Sequence, residues 1–166
     1  MTVHPAQTPH KSRRWFWRPQ VVLIHATVSR TAKSALNWFE NPESGVSADF
    51  VIDKDGTVYR PVPKGWYSWH AGACLFRGKL RRDYNRISYG VELVNLNDGV
   101  DPYPEAQLEA MAHVIRLCKD ESPSVLYVRR HADVGFPRGR KSDPAGLSIS
   151  DIYTAIQTYE PLLWMD

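Results

Sequence analysis

The chain reads as one α/β domain, a central mixed β-sheet flanked by helices. Three observations predict this class. Short β-branched runs alternate with amphipathic stretches along the sequence, the pattern of a sheet covered by helices. An Asp-Gly pair between two apolar runs marks a hairpin, so at least one strand pair is antiparallel. A length of 166 residues is enough for one core without disulfide staples. Twelve prolines and ten glycines, spread along the chain, imply many loops and no low-complexity tract.

The elements follow in order. Residues 1–19 read as a basic aromatic arm, rich in His, Lys, Arg and Pro, preceding a domain over 20–166. Residues 20–24 are a buried strand that ends at His25. Ala32, Ala35, Leu36 and Phe39 have helical spacing over 31–40, and Asn41-Pro42 stops that helix. Residues 48–52 and 57–60 flank the turn Asp53-Lys54-Asp55-Gly56 as a hairpin. Residues 61–88 show no regular pattern, and a stretch of that length is usually functional or disordered. Trp66, Trp69 and the tyrosines around them argue against disorder. A strand follows at 89–94. From Pro104, Leu108, Met111, Ala112, Ile115 and Cys118 form one face of a helix. Residues 125–129 are a strand leading into His131, and Ser148-x-x-Asp151 is a capping box opening a C-terminal helix.

Composition narrows the function classes. A net charge of +3 favours an anionic polymer but is too small to argue for nucleic acid, and no nucleic-acid-binding signature accompanies it. Cys74 and Cys118 lack C-x-x-C spacing and read as buried free thiols. No apolar run approaches the ~20 residues of a membrane span. The N-terminus has no apolar h-region, so the chain as given is expected to be made as a cytoplasmic protein. Arg13, Arg14, Trp15, Phe16 and Trp17 have the composition of segments that partition to anionic envelope surfaces. The plainer and preferred reading packs these aromatics onto the domain.

Three polar residues stand where apolar runs end: His25, His131 and, twelve residues on, Asp143. Two imidazoles and a carboxylate suit a catalytic zinc, which needs three protein ligands and an open position. Each histidine alone fits a hydrogen-bonded structural role; the combination puts a metal site beside that reading. Lys141 is either a solvated lysine in a basic loop or, if Asp143 holds a metal, a cation at the rim of the same site. Glu92 alternates with Val91 and Leu93 and either faces solvent or is poised in a site with a raised pKa.

Five ordered motifs carry a resemblance: I-H-A-T-V-S at 24–29, V-S-A-D-F-V-I-D-K-D-G-T-V-Y at 46–59, W-H-A-G at 69–72, Y-G-V-E-L-V-N at 89–95, and H-x9-K-x-D-P at 131–144. Together, over residues 20–157, they resemble the zinc-dependent N-acetylmuramoyl-L-alanine amidases of type 2. That family includes phage T7 lysozyme, the anhydro-muropeptide amidases and the peptidoglycan-recognition proteins. The resemblance implies the amidase type 2 fold and one zinc ion on His25, His131 and Asp143. It assigns Glu92 as general base, Lys141 as stabiliser of the oxyanion, and Trp69, His70 and Asn95 to the substrate groove. The implied reaction is hydrolysis of the amide between N-acetylmuramic acid and L-alanine in peptidoglycan.

Two departures are visible. Ser47-Ala48-Asp49-Phe50 stands where relatives carry a histidine and tyrosine, which removes tyrosine-assisted catalysis and leaves more to Glu92. Ala26 stands where a second histidine is common. A phage-type endolysin is the context expected first. The alternatives are a cytoplasmic amidase that recycles muropeptides and a non-catalytic peptidoglycan-binding protein; the complete ligand set speaks against the latter.

Overall fold

The structure is a computed structural model that describes residues 1–16 and 18–160. In chain order the first elements are β1 (Val3–Pro5), β2 (Lys11–Arg13), β3 (Val21–Ala26), α1 (Ala32–Glu40), β4 (Phe50–Ile52) and β5 (Val58–Arg60). Next come β6 (Trp66–Ser68), β7 (Cys74–Phe76), β8 (Lys79–Arg81), α2 (Tyr84–Ile87) and β9 (Ser88–Leu93). The last are α3 (Glu105–Glu121), β10 (Tyr127–Arg130), α4 (His131–Val134) and α5 (Ile149–Tyr159).

Six strands form the central sheet in the order β1-β5-β4-β9-β3-β10. The expected hairpin, β4 with β5, is its antiparallel pair; the other pairs are parallel. The sheet is therefore mixed, and β4, β9, β3 and β10 all end at the same edge. In open α/β sheets the carboxyl ends of parallel strands are where ligands bind.

β3 is buried along its whole length, as a central parallel strand should be. Its alternate residues serve two layers. Val22 and Ile24 join Val91 and Leu93 under Met111 and Ile115 of α3 and Ile152 and Ile156 of α5. Val21 and Leu23 pack on the opposite side with Ala71, Cys74, Tyr84 and Ile87. Each large aliphatic side chain so buried contributes roughly 1.5–3 kcal/mol. Two helix starts are capped as their sequences require. The Thr31 hydroxyl accepts from the Ser34 amide on α1, and Ser148 and Asp151 form the expected capping box on α5. Cys74 and Cys118 are buried and unpaired with each other.

Two expectations need correction. Residues 61–88 are not irregular: β6 pairs antiparallel with β2, β7 pairs with β8, and α2 leads into β9. Nor do residues 3–14 form a separate arm. β1 is an edge strand of the central sheet, parallel to β5, and Thr8 and His10 are buried. Arg14 is buried too. Its guanidinium donates to the carbonyls of Arg86 at 2.6 Å and Ser88 at 2.9 Å and stands 3.9 Å from the Asp49 carboxylate. Arg14 is thus removed from any envelope surface, whereas Trp15 and Phe16 are exposed at 76 % and 96 %, the Trp15 ring facing the Arg13 guanidinium at 5.8 Å. Trp17, also expected there, lies outside the described residues. Among those residues no helix is long and apolar enough to cross a membrane.

Candidate active site

Three chain segments bring the donor groups together at the carboxyl edge of the sheet. β3 supplies His25 one residue before it ends. β10 runs directly into α4, whose first residue is His131. Asp143 arrives on the loop after α4, and its carbonyl accepts the Ala132 amide at 2.8 Å, which ties that loop to the helix. Arg140 braces the same loop by donating to the carbonyls of Ala71 and Ala73 at 3.1 and 2.9 Å. The result is close convergence. His25 Nδ1 and His131 Nδ1 lie 3.0 and 3.2 Å from the same Asp143 oxygen, and the three donor atoms are all within 4.8 Å of one another.

The outer nitrogens of both rings are engaged elsewhere. His131 Nε2 is 3.1 Å from the Ala71 carbonyl, and His25 Nε2 is 2.9 Å from His70 Nδ1. A carbonyl can only accept, so Nε2 of His131 donates to Ala71, which leaves Nδ1 as the ring atom that meets Asp143 and that a cation would use. Burial lowers the His25 pKa to about 4 against the hydrogen bond to Asp143 that raises it, which keeps this ring neutral at pH 7. Burial pushes Asp143 up, but its contacts with His131 and His25 outweigh this and hold the carboxyl well below the usual range. Two imidazole nitrogens and a carboxylate oxygen facing one point form a ligand set for a cation. Nitrogen and oxygen donors of this kind, with the second ring nitrogen tied to a carbonyl, fit a zinc ion.

Glu92 enters on the neighbouring strand. Its Cα pairs with that of His25 in the β3–β9 register, and it lines the same cavity of about 610 Å³. One carboxyl oxygen, Oε2, is buried without a hydrogen-bond partner. Burial first, then the Asp143 charge, push its pKa up to about 8, with Lys141 opposing. An orphaned, proton-avid carboxyl at a cavity wall is the kind of group that can take up and return a proton. Lys141 lines that cavity as well, with its stem against Gly135; a Cβ added there would come within 3.1 Å of Lys141 Cγ. A larger cavity, about 1010 Å³, lies among prolines and β1 and has no comparable convergence of donors.

Of the residues expected in the substrate groove, His70 lines the cavity, but as a half-buried ring whose contact is with His25. The other two stand elsewhere. The Trp69 ring packs 5.4 Å from His10 and its Nε1 donates to Ser12 Oγ at 3.0 Å. Asn95 is wholly buried; its Nδ2 donates to the Asp101 carbonyl and its Oδ1 accepts the Asn97 amide, which shapes the loop after β9. The cavity wall is instead formed by Trp38, Val28, Val46 and Asn97. Trp38 is 53 % exposed, and its place on the solvent side of α1 is legible from the helical spacing as the position next to the core residue Phe39. Asp49, the departure in the S-A-D-F segment, is a buried tie that accepts from Ser68 Oγ at 2.6 Å and the Gly90 amide at 2.8 Å.

Comparison with known proteins agrees with this architecture. A family profile described as N-acetylmuramoyl-L-alanine amidase matches residues 16–146, and the chain belongs to that family. The 1,6-anhydro-N-acetylmuramyl-L-alanine amidase AmpD of Enterobacter cloacae is 35% identical over 102 residues, which are 60% of this chain and 50% of that protein. The chain spans about half the length of the curated relatives it matches. A crystal structure of AmpD superposes with a TM-score of 0.72 at 21% identity, covering 93% of this chain and 94% of that one. The amidase AmiD of E. coli, solved with anhydro-N-acetylmuramic acid-L-Ala-D-gamma-Glu-L-Lys, gives a TM-score of 0.67 at 25% identity, over 83% of this chain and 57% of that one.

Proposed function

We propose that this protein is a zinc-dependent amidase that hydrolyses the bond between N-acetylmuramic acid and L-alanine, with anhydro-muropeptides as the substrate class. The observation that carries the reading is the convergence of His25, His131 and Asp143 on one point of the cavity that Glu92 also lines. Family membership supports the reaction, and the names of the curated relatives support the anhydro-muropeptide. Those names shift the weight from the endolysin expected from the sequence to the muropeptide-recycling alternative.

His25, His131 and Asp143 would hold the zinc ion. Such an ion, when bound, polarises a carbonyl and lowers the pKa of water towards ~7. Glu92 takes the proton of the attacking water and returns it to the leaving alanine amine, a transfer suited to a carboxyl whose pKa is already raised. Lys141 places positive charge at the rim of the cavity, where negative charge develops on the carbonyl oxygen. Trp38 and Asn97 offer an apolar face and an amide along the wall for the sugar and stem peptide.

The test is to incubate the protein with an anhydro-muropeptide and, separately, with intact peptidoglycan, and to identify the products by mass spectrometry. A free stem peptide and anhydro-muramic acid, lost with a chelator and regained with zinc, is the expected result. Cleavage of intact peptidoglycan with the soluble muropeptide left whole would return the endolysin reading to first place. No cleavage of either with zinc bound would remove the enzyme reading.

A further inference from the structure

Behind His25 lies a chain of hydrogen bonds that the proposed reaction does not use. His25 Nε2 is 2.9 Å from His70 Nδ1; His70 Nε2 is 3.1 Å from Ser88 Oγ; and Ser88 Oγ is 2.8 Å from the carbonyl of Tyr84. The two rings meet edge to face, with centroids 5.1 Å apart. The direction of such a chain is set at its end. A carbonyl only accepts, so the Ser88 proton goes to Tyr84. Ser88 Oγ must then accept from His70, which puts the ring proton of His70 on Nε2 and leaves Nδ1 as an acceptor. In that direction His25 donates to it, with its own ring proton on Nε2 and its Nδ1 open to a cation.

The reverse direction is equally continuous but has the opposite outcome. With the Ser88 hydroxyl turned to His70, His70 would donate from Nδ1, and His25 would carry its proton on Nδ1, pointing into the acceptor cluster. Only one of the two directions leaves His25 Nδ1 open to a cation. In the empty cluster the Asp143 carboxylate draws a proton to Nδ1, and the bond from Ser88 to Tyr84 pulls the other way, towards the metal-binding direction.

We infer that His70 and Ser88 are positioning residues that fix the tautomer of His25 and so set the affinity of the metal site; this rests on the amidase reading only through the identity of the metal. Two further features fit the role. Ser88 is wholly buried, as is the backbone of β9 around it. At Gly90 an added Cβ would come within 2.5 Å of His70 Cγ, so the glycine makes the space the ring occupies. The carboxylate that commonly orients a metal-bound histidine is replaced here by a neutral imidazole, and His131 is held by a backbone carbonyl. Neither partner adds negative charge to its ligand, which leaves Asp143 as the one anionic donor of the three.

The experiment is nitrogen NMR of histidine-labelled, zinc-loaded protein, together with zinc affinity measured by competition with a chromophoric chelator. The expected spectrum has His25 and His70 both protonated on Nε2, with scalar coupling from His25 Nε2 to His70 Nδ1 across the hydrogen bond. Ser88→Ala is expected to weaken zinc binding by roughly 10- to 100-fold. A His70 proton on Nδ1, failure of the wild type to bind zinc, or a folded Ser88→Ala protein binding zinc as tightly as wild type overturns the inference. If Ser88→Ala does not fold, the wild-type coupling decides alone. Zinc bound with the expected coupling but no cleavage of either the muropeptide or intact peptidoglycan would sink the amidase reading and leave the relay standing.

Discussion

On one face of the paired strands β3 and β9, Val22, Ile24, Val91 and Leu93 meet the apolar sides of α3 and α5. On the other, Leu23 gives way to His25, and Gly90 and Glu92 stand beside the half-buried His70. The same twelve residues of backbone thus support an apolar core and a cluster of buried polar groups with one unpartnered carboxyl oxygen, one residue out of phase. The difference shows how the fold can keep a carboxyl with an unpartnered oxygen inside it. The cost falls on strands whose opposite side is held by full apolar burial. Stability and chemistry are separated by alternation, not by distance.

Adjacent substitutions should break or sharpen that separation. His25→Ala is expected to have the largest effect, with loss of bound zinc and a fall in muropeptide hydrolysis of roughly 10⁴-fold or more, and an unfolding temperature close to that of the chelated wild type. Glu92→Gln should lower turnover by roughly 10²- to 10⁴-fold with zinc still bound, and should leave the chelated protein at least as stable as wild type. Ile24→Ala, next to His25 but on the other face, should cost about 2–5 kcal/mol in denaturant unfolding while the folded fraction keeps its activity. An Ile24→Ala enzyme that stayed stable but lost activity would show that the faces are coupled. Gly90→Ala should weaken zinc by roughly 10- to 100-fold through displacement of His70.

The smallest effect is a slope with pH in the chelated protein. Glu92 has its pKa raised from 4.5 to about 8, so the unfolded chain releases this proton first and stability falls as pH rises between those values. His25, lowered from 6.5 to about 4, acts in the opposite sense, but its contribution is complete above pH 6.5. Between pH 6.5 and 8 the unfolding temperature of wild type should therefore fall relative to that of Glu92→Gln. Parallel curves would mean that Glu92 is ionised throughout.

Much of this was legible in the sequence where a pattern repeats within one element. The helices at 32–40, 105–121 and 149–159 announce themselves by apolar spacing with Thr31 and Ser148 as caps. The hairpin at 50–60 is announced by Asp-Gly. The short strands β6, β7 and β8 are three residues each, too few for alternation to register, and the β7–β8 turn uses Arg77-Gly78, both at positive φ, in place of an Asn-Gly pair. β1, which contains Pro5, reads as a loop until β5 is beside it. The donor set was visible because His25 and His131 follow apolar strand runs and Asp143 stands twelve residues beyond His131. His70 was placed at the substrate surface because its contact with His25 and its dependence on Gly90 span positions far apart in sequence. Trp69 was placed in the groove by the W-H-A-G resemblance, although the tryptophan at the cavity wall is Trp38.

The buried guanidinium of Arg14 and the strand at residues 3–5 change the meaning of shortening this chain at its start. A truncation to residue 18 resembles the removal of a targeting tail. It would in fact strip an edge from the central sheet, unpair β6 from β2, and empty the site that holds the carbonyl of Ser88, the same residue whose hydroxyl orients His70. Lost activity in such a protein would report damage transmitted along β9. Single replacements of Trp15 or Phe16, which project from the surface, leave that support untouched.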